Sequence, residues 1–174
     1  MLPASFFEHS MRTTIFVGLL ALTSACAGHL SGGVYTEGPL SYRIGTLPSS
    51  WQEVHLNEND VAFVSRDSPH SLAINATCEG HDDPPLDVLT RHLLMGFTAR
   101  DTLSQALEQL DGREAMRTHV TAKLDGVPVE LLLVVMKKDR CVYDFTYLSP
   151  VGRLEEREPD FELILKHFKT GSRT

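Results

Sequence analysis

Apolar and polar residues alternate along most of residues 40–148, and helical spacing replaces that alternation over 84–99 and again over 158–169. Alternation marks strands with one covered face, whereas recurrence every three to four residues marks an amphipathic helix. Leu40–Ile44 predicts a short strand, Trp51–Leu56 a second, Val61–Val64 a third and Ser71–Cys78 a fourth, the last with Leu72, Ile74 and Ala76 on one face. Leu47-Pro48-Ser49-Ser50, Asn57-Glu58-Asn59-Asp60 and Asp67-Ser68-Pro69-His70 carry the residues that favour turns between them.

Leu86, Leu89, Leu93 and Phe97 predict a helix over 84–99, with Asp83 as its N-cap and Pro84 in its first turn. Leu103–Leu110 and a strand through Met116, Thr118, Val120, Ala122 and Leu124 follow, punctuated by Asp111-Gly112 and Asp125-Gly126. Asp-Gly pairs are strong hairpin signals, because glycine accepts the positive φ of a tight turn. Val127–Met136 is almost wholly apolar, as in a central strand covered on both faces. Lys137-Lys138-Asp139-Arg140 predicts a solvated hairpin tip, and Cys141, Tyr143, Phe145 and Tyr147 share one side of the strand that follows. Phe161, Ile164, Leu165 and Phe168 complete a helix over Glu158–Lys169. The order predicts one α+β domain over 40–170, an antiparallel sheet with one inserted helix and a C-terminal helix packed on it.

Tyr42-Arg43-Ile44, followed by Leu47-Pro48-Ser49-Ser50-Trp51, resembles the opening of the PsbP-like group, and Phe161–Phe168 is similar to its habitual last helix. That group takes its name from a photosystem II accessory protein and includes a Ran-binding nuclear import factor and many bacterial envelope lipoproteins. The resemblance covers most of 40–169. It implies the fold and a binding or assembly role rather than catalysis, and assigns no site residues.

The N-terminal segment follows another pattern. Arg12, the apolar stretch Ile15–Leu22 and the small residues Thr23-Ser24-Ala25 before Cys26 have the layout of a secretory signal peptide. Leu22-Thr23-Ser24-Ala25-Cys26 resembles a bacterial lipobox, although the leucine stands four residues before the cysteine instead of three. The resemblance implies cleavage before Cys26 and its acylation; an ordinary signal peptide beside a stray cysteine is the alternative. Met11 makes a better start than Met1, because Glu8 is acidic where a signal should be basic. Residues 1–26 are thus expected to be signal, and 27–39, small and Gly-rich at first, a flexible tether. Ala27, in place of aspartate, implies the outer membrane by resemblance to enteric sorting, with the domain facing the periplasm.

A net charge of −7 argues against nucleic acid or an anionic membrane surface as partner. The chain has three cysteines. If Cys26 carries lipid, Cys78 and Cys141 remain, a disulfide in an oxidising compartment or two buried thiols.

Candidate chemistry is sparse. Cys78, His81, Asp82 and Asp83 are the densest set of metal-ligand types, but no further histidine pattern completes a zinc site, and a disulfide would consume Cys78. No metal or cofactor is expected. His70, His92 and His119 lack a nucleophile signature to serve, and His92 and His119 fall on polar faces. Asn75-Ala76-Thr77 matches a glycosylation sequon inside a strand, a chance match in a bacterial chain. Leu93 and Phe97 lie on the most apolar helix face, either plain core or the lining of a ligand groove with residues 129–135. The expected function is therefore a non-catalytic, lipid-anchored binding or assembly module working with another envelope protein through strand 113–123. A carrier of an apolar ligand such as a phospholipid is the alternative, and a hydrolase using His81 with Asp82 or Asp83 a third.

Overall fold

The computed structural model describes residues 28–56, 59–78 and 83–171. Cys26 and the signal segment, as well as His81 and Asp82, lie outside the described residues. Two antiparallel sheets form the domain. The smaller contains β1 (His29–Ser31), β2 (Val34–Glu37), β3 (Leu40–Arg43) and β11 (Lys169–Thr170) in the order β1-β2-β3-β11. The larger contains β4 (Trp51–Val54), β5 (Val61–Ser65), β6 (Ser71–Thr77), β7 (Thr98–Leu110), β8 (Arg113–Leu124), β9 (Val127–Lys138) and β10 (Cys141–Pro150), ordered β4-β5-β6-β10-β9-β8-β7. Helix α1 (Leu86–Leu93) joins β6 to β7, and α2 (Glu158–His167) follows a 3-10 turn at Leu154–Glu156. This is a PsbP-like α+β fold.

The apolar run in β9 has the meaning its composition suggests. Leu132, Val134 and Met136 enter the main core, together with Tyr143, Phe145 and Tyr147 of β10, Trp51 of β4 and Phe161, Ile164 and Phe168 at the C-terminal end. Val129, Leu131 and Leu133 of the same strand enter a second cluster on the opposite face, with Val120, Ala122 and Leu94, and Leu93, Phe97 and Leu148 pack against it. Both faces of the sheet centre are therefore dry. At Asp111-Gly112 and Asp125-Gly126 all four residues have positive φ, between 48° and 83°, the conformation that matches a two-residue turn to strand twist.

Several boundaries differ from expectation. Helix α1 begins at Leu86 and ends at Leu93, not at 84 and 99. Pro85 holds φ −57° and ψ 154°, and a residue preceding proline is disfavoured from helix, so Pro84 stays outside it. Asp83 does not cap the helix; it pairs with Lys137 Nζ at 2.5 Å. Strand β7 starts five residues earlier than expected. α2 stops at His167 because Phe168 turns extended and drops into the core against Tyr42, Tyr143 and Phe145, after which Lys169 and Thr170 pair with Arg43 and Tyr42.

The stretch 27–39 is not a tether over its described part. β1 pairs with β2 and β2 with β3, and Tyr35 is buried, stacked on Tyr42 with ring centroids 4.9 Å apart. Gly45 lets α2 approach this sheet: a Cβ there would meet the Leu163 carbonyl oxygen at 2.5 Å.

Candidate functional site: a buried polar relay between two cavities

Asp144 stands mid-strand in β10, directly opposite Asn75 of β6. Asn75 Nδ2 donates to Asp144 Oδ1 at 3.0 Å, and Asn75 Oδ1 accepts from the Asp60 backbone N–H and from Asn59 Nδ2, each at 3.1 Å. Asp60 Oδ2 in turn accepts from the Ala76 backbone N–H at 2.9 Å and from the Tyr42 hydroxyl at 3.2 Å. The Tyr35 hydroxyl donates to Glu37 Oε2 at 3.0 Å. A continuous line of polar groups thus crosses the large sheet near its β6–β10 seam.

Burial pushes the Asp144 carboxyl up to about 6; the Asn75 hydrogen bond opposes the rise and the Asp60 charge adds to it. Burial likewise pushes Asp60 up to about 6 against the hydrogen bonds from Ala76 and Tyr42. Burial and the Asp60 charge also hold the Tyr42 hydroxyl well above the usual phenol range, so it donates at any ordinary pH.

The relay connects two cavities. At one end, Asp60 and Asn59 border a pocket of about 470 Å³ whose walls also include Tyr35, Glu37, Glu53, His55 and Leu30. At the other end, Asp144 borders a cleft of about 140 Å³ between α1 and the sheet, with Leu89, His92, Leu93, Val135, Val142 and Thr77. The first is polar. The second has aliphatic walls around one buried carboxylate.

Leu93 packs against the second cluster and also borders the cleft, whereas Phe97 packs on that cluster away from the cleft. Val135 reaches the cleft, whereas Val129, Leu131 and Leu133 are sealed beneath Leu94. Cys78 and Cys141 form a disulfide at the end of the paired strands β6 and β10, so the Cys78 sulfur is not available as a metal ligand. Among the described residues, no three His, Cys, Asp or Glu side chains converge to hold a metal ion.

The three histidines are scattered. His70 is buried; Nδ1 meets Ser68 Oγ at 2.9 Å and Nε2 donates to the Arg153 carbonyl at 3.0 Å, a structural role. His92 is exposed at the mouth of the cleft. His119 is not the freely solvated side chain its polar strand face suggested. It is half-buried, with Nε2 2.7 Å from Glu130 Oε1, while Glu130 Oε2 accepts the Gly152 N–H at 2.7 Å and so pins the turn after β10.

Strand 113–123, expected as the contact surface, is interior to the sheet between β7 and β9, with Ala115, Thr118, Val120 and Ala122 buried. The edges of this sheet are β4 and β7, and β7 is exposed along almost all its length, with Leu103 51% and Leu107 56% accessible. Asn75 is not legible as a site residue in the sequence, where it reads only as part of a sequon. A carboxylate in an otherwise buried strand, Asp144, was the available signal.

No protein-family model matches the chain, and no curated protein matches it. Solved structures do. CyanoP, the cyanobacterial PsbP of Synechocystis sp. PCC 6803, is similar at 15% identity and a TM-score of 0.54, over 89% of this chain and 99% of that one. LpqN of Mycobacterium tuberculosis, described as involved in cell envelope biogenesis, matches at 13% identity and a TM-score of 0.58, over 77% and 86%. The protein Mog1 matches at 9% identity and a TM-score of 0.53, over 76% and 90%. At these identities the likeness shows the fold. Among the described residues, no helix is long and apolar enough to cross a membrane.

Proposed function

We propose that this chain is a non-catalytic binding or assembly module of a bacterial envelope, anchored in the outer membrane through acylated Cys26 and facing the periplasm. Strand β7 carries the reading. Among the described residues no strand lies beside its outer main-chain groups, and Leu103 and Leu107 stand exposed along it. An extended segment of another envelope protein, with apolar side chains for these two leucines, would add a strand there. Register irregularities between Thr98 and Asp101 and between Thr102 and Ser104 distort the first part of the edge and discourage indiscriminate pairing, so that Leu107 stands in the regular docking stretch Ser104–Leu110 and Leu103 at its entrance. The envelope role of LpqN supports the setting. The polar groups of the interior favour binding over catalysis, since buried His70 and Glu130 and partly buried Asp60 are each committed to bonds that hold the fold.

The phospholipid-carrier alternative has a size problem. The cleft under α1 holds about 140 Å³, below the several hundred Å³ of typical ligand pockets.

The tests separate anchor from docking. Globomycin should accumulate the uncleaved precursor, and Cys26→Ser should release the protein from membranes; unchanged processing and fractionation overturn the anchor. A photoreactive side chain at position 107 should give one cross-linked product in cells, lost in the Leu103→Glu/Leu107→Glu double variant. No product, or one indifferent to the double variant, overturns the docking edge.

A further inference from the structure

Asp144 is 8% exposed, and its hydrogen-bond partner among the described residues is the neutral amide of Asn75. No ion pair among the described residues involves it, although Lys137 on neighbouring β9 pairs with Asp83. A buried carboxylate without a cation is costly, and proteins normally pair it or leave it protonated. Here it borders a cavity, and the rest of that cavity is mostly aliphatic: Leu89 and Leu93 from α1, Val135 from β9 and Val142 from β10. A cavity of about 150 Å³ is large enough for a single benzene ring, so the volume of about 140 Å³ sets the size of what fits.

We propose that the cleft between α1 and the sheet is a binding site for a small organic ammonium ion, its cationic head on the Asp144 carboxylate and its short alkyl or single-ring body against Leu89, Leu93, Val135 and Val142. Each part of the site has a complement in such a ligand. The cation supplies the counter-charge that the interior lacks, and a charge-assisted N–H···O bond is about twice as strong as a neutral one. The body covers apolar walls. Asn75 keeps the carboxylate oriented through Oδ1, opposite it across the β6–β10 ladder. A neutral ligand of the same shape would leave the carboxylate unpaired, and a larger cation would not fit.

The charged and titratable groups facing Asp144 are Asp60, through the relay, and His92 at the cleft mouth. Acidification protonates the carboxylates and so weakens a bound cation. The inference stands apart from the anchor and from β7; its failure leaves those readings intact, and theirs leaves it intact.

Benzylammonium chloride, with benzyl alcohol as its neutral counterpart, tests it by methyl NMR titration of the oxidised domain. Saturable shifts are expected at Leu89, Leu93, Val135 and Val142. Asp144→Asn keeps the Asn75 contact and should weaken benzylammonium by about tenfold or more, and benzyl alcohol should bind the unmodified protein weaker by a similar margin. A loss smaller than about tenfold, equal binding of the alcohol, or no saturable shifts overturns the proposal. Should Asp144→Asn fail to fold, His92→Gln decides: affinity must still fall between pH 8 and pH 5, and a flat profile overturns the site.

Discussion

Asn75 and Asp144 face each other across β6 and β10, and the amide nitrogen of one donates to the carboxylate of the other at 3.0 Å. Sixty-nine residues separate them in the chain. Their meeting depends on strand register, and it places an ionisable group inside the sheet with an acceptor role that asparagine could also fill.

Asp144→Asn should therefore be tolerated and stabilising at neutral pH. The folded carboxyl titrates near 6 in place of its ordinary 3.8, so folding takes up a proton between those values. Its contribution to stability is complete below about pH 4 and is lost as pH rises through 6. Urea unfolding at pH 5 and pH 7.5 should show wild type losing more than the variant, with a difference of about 1 kcal/mol. Parallel curves would show that Asp144 keeps its ordinary titration.

His70 and Tyr147 hold consecutive carbonyls of the segment leading into α2. His70 Nε2 donates to Arg153 O at 3.0 Å, and the Tyr147 hydroxyl donates to Leu154 O at 2.8 Å, with the two rings stacked 5.9 Å apart. His70→Phe retains an aromatic ring but removes the donor and should cost about 1–3 kcal/mol. Tyr147→Phe should cost a similar amount, and the double variant less than their sum, because both bonds hold one turn. Strict additivity in chemical denaturation would contradict this.

Gly45→Ala should displace α2. The added methyl would sit 2.5 Å from the Leu163 carbonyl oxygen, a backbone atom that cannot rotate away. A loss of roughly 1–3 kcal/mol is expected, with chemical-shift changes centred on Leu163–His167. An unchanged unfolding midpoint would mean the helix has room to spare.

Reduction of Cys78–Cys141 releases a cross-link spanning 63 residues and should lower stability by roughly 2–4 kcal/mol. Thermal unfolding with and without reductant measures it, and a Cys78→Ala/Cys141→Ala pair gives the same comparison without reductant. Equal midpoints would place its role elsewhere.

Local signals read well and non-local ones did not. The Asp-Gly turns, the apolar run of β9 and the alternating aromatics of β10 were legible because each element displays its own environment along a few consecutive residues. The cysteine pair was legible by count. The strands at 29–31 and 34–37 were not: they are short, the Gly-rich residues around them suggest a flexible segment, and their cover comes from Tyr35 stacking on Tyr42 and Leu30 packing on the main core. Helix α1 is shorter than its sequence pattern because helical spacing runs on through Phe97 while Pro84-Pro85 and the turn at 94–96 cut it at both ends. Asp144 looked like one polar position in an alternating strand, since both Asn75 and α1 arrive from distant sequence.

The four strands β7 to β10 are joined by two-residue turns, so half the large sheet can assemble from neighbours in sequence. β6 is different. To reach β10 it must close a loop that contains this whole meander, and structures dominated by such separations fold slowly. The two thiols lie at the loop-proximal end of that last seam, beside the Thr77–Val142 pair, so the bond fixes the point from which the pairing extends toward Ser71 and Leu148. In the oxidised chain the cross-link keeps the two ends of that 63-residue loop together, so re-pairing of β6 with β10 after a local opening becomes a short-range search.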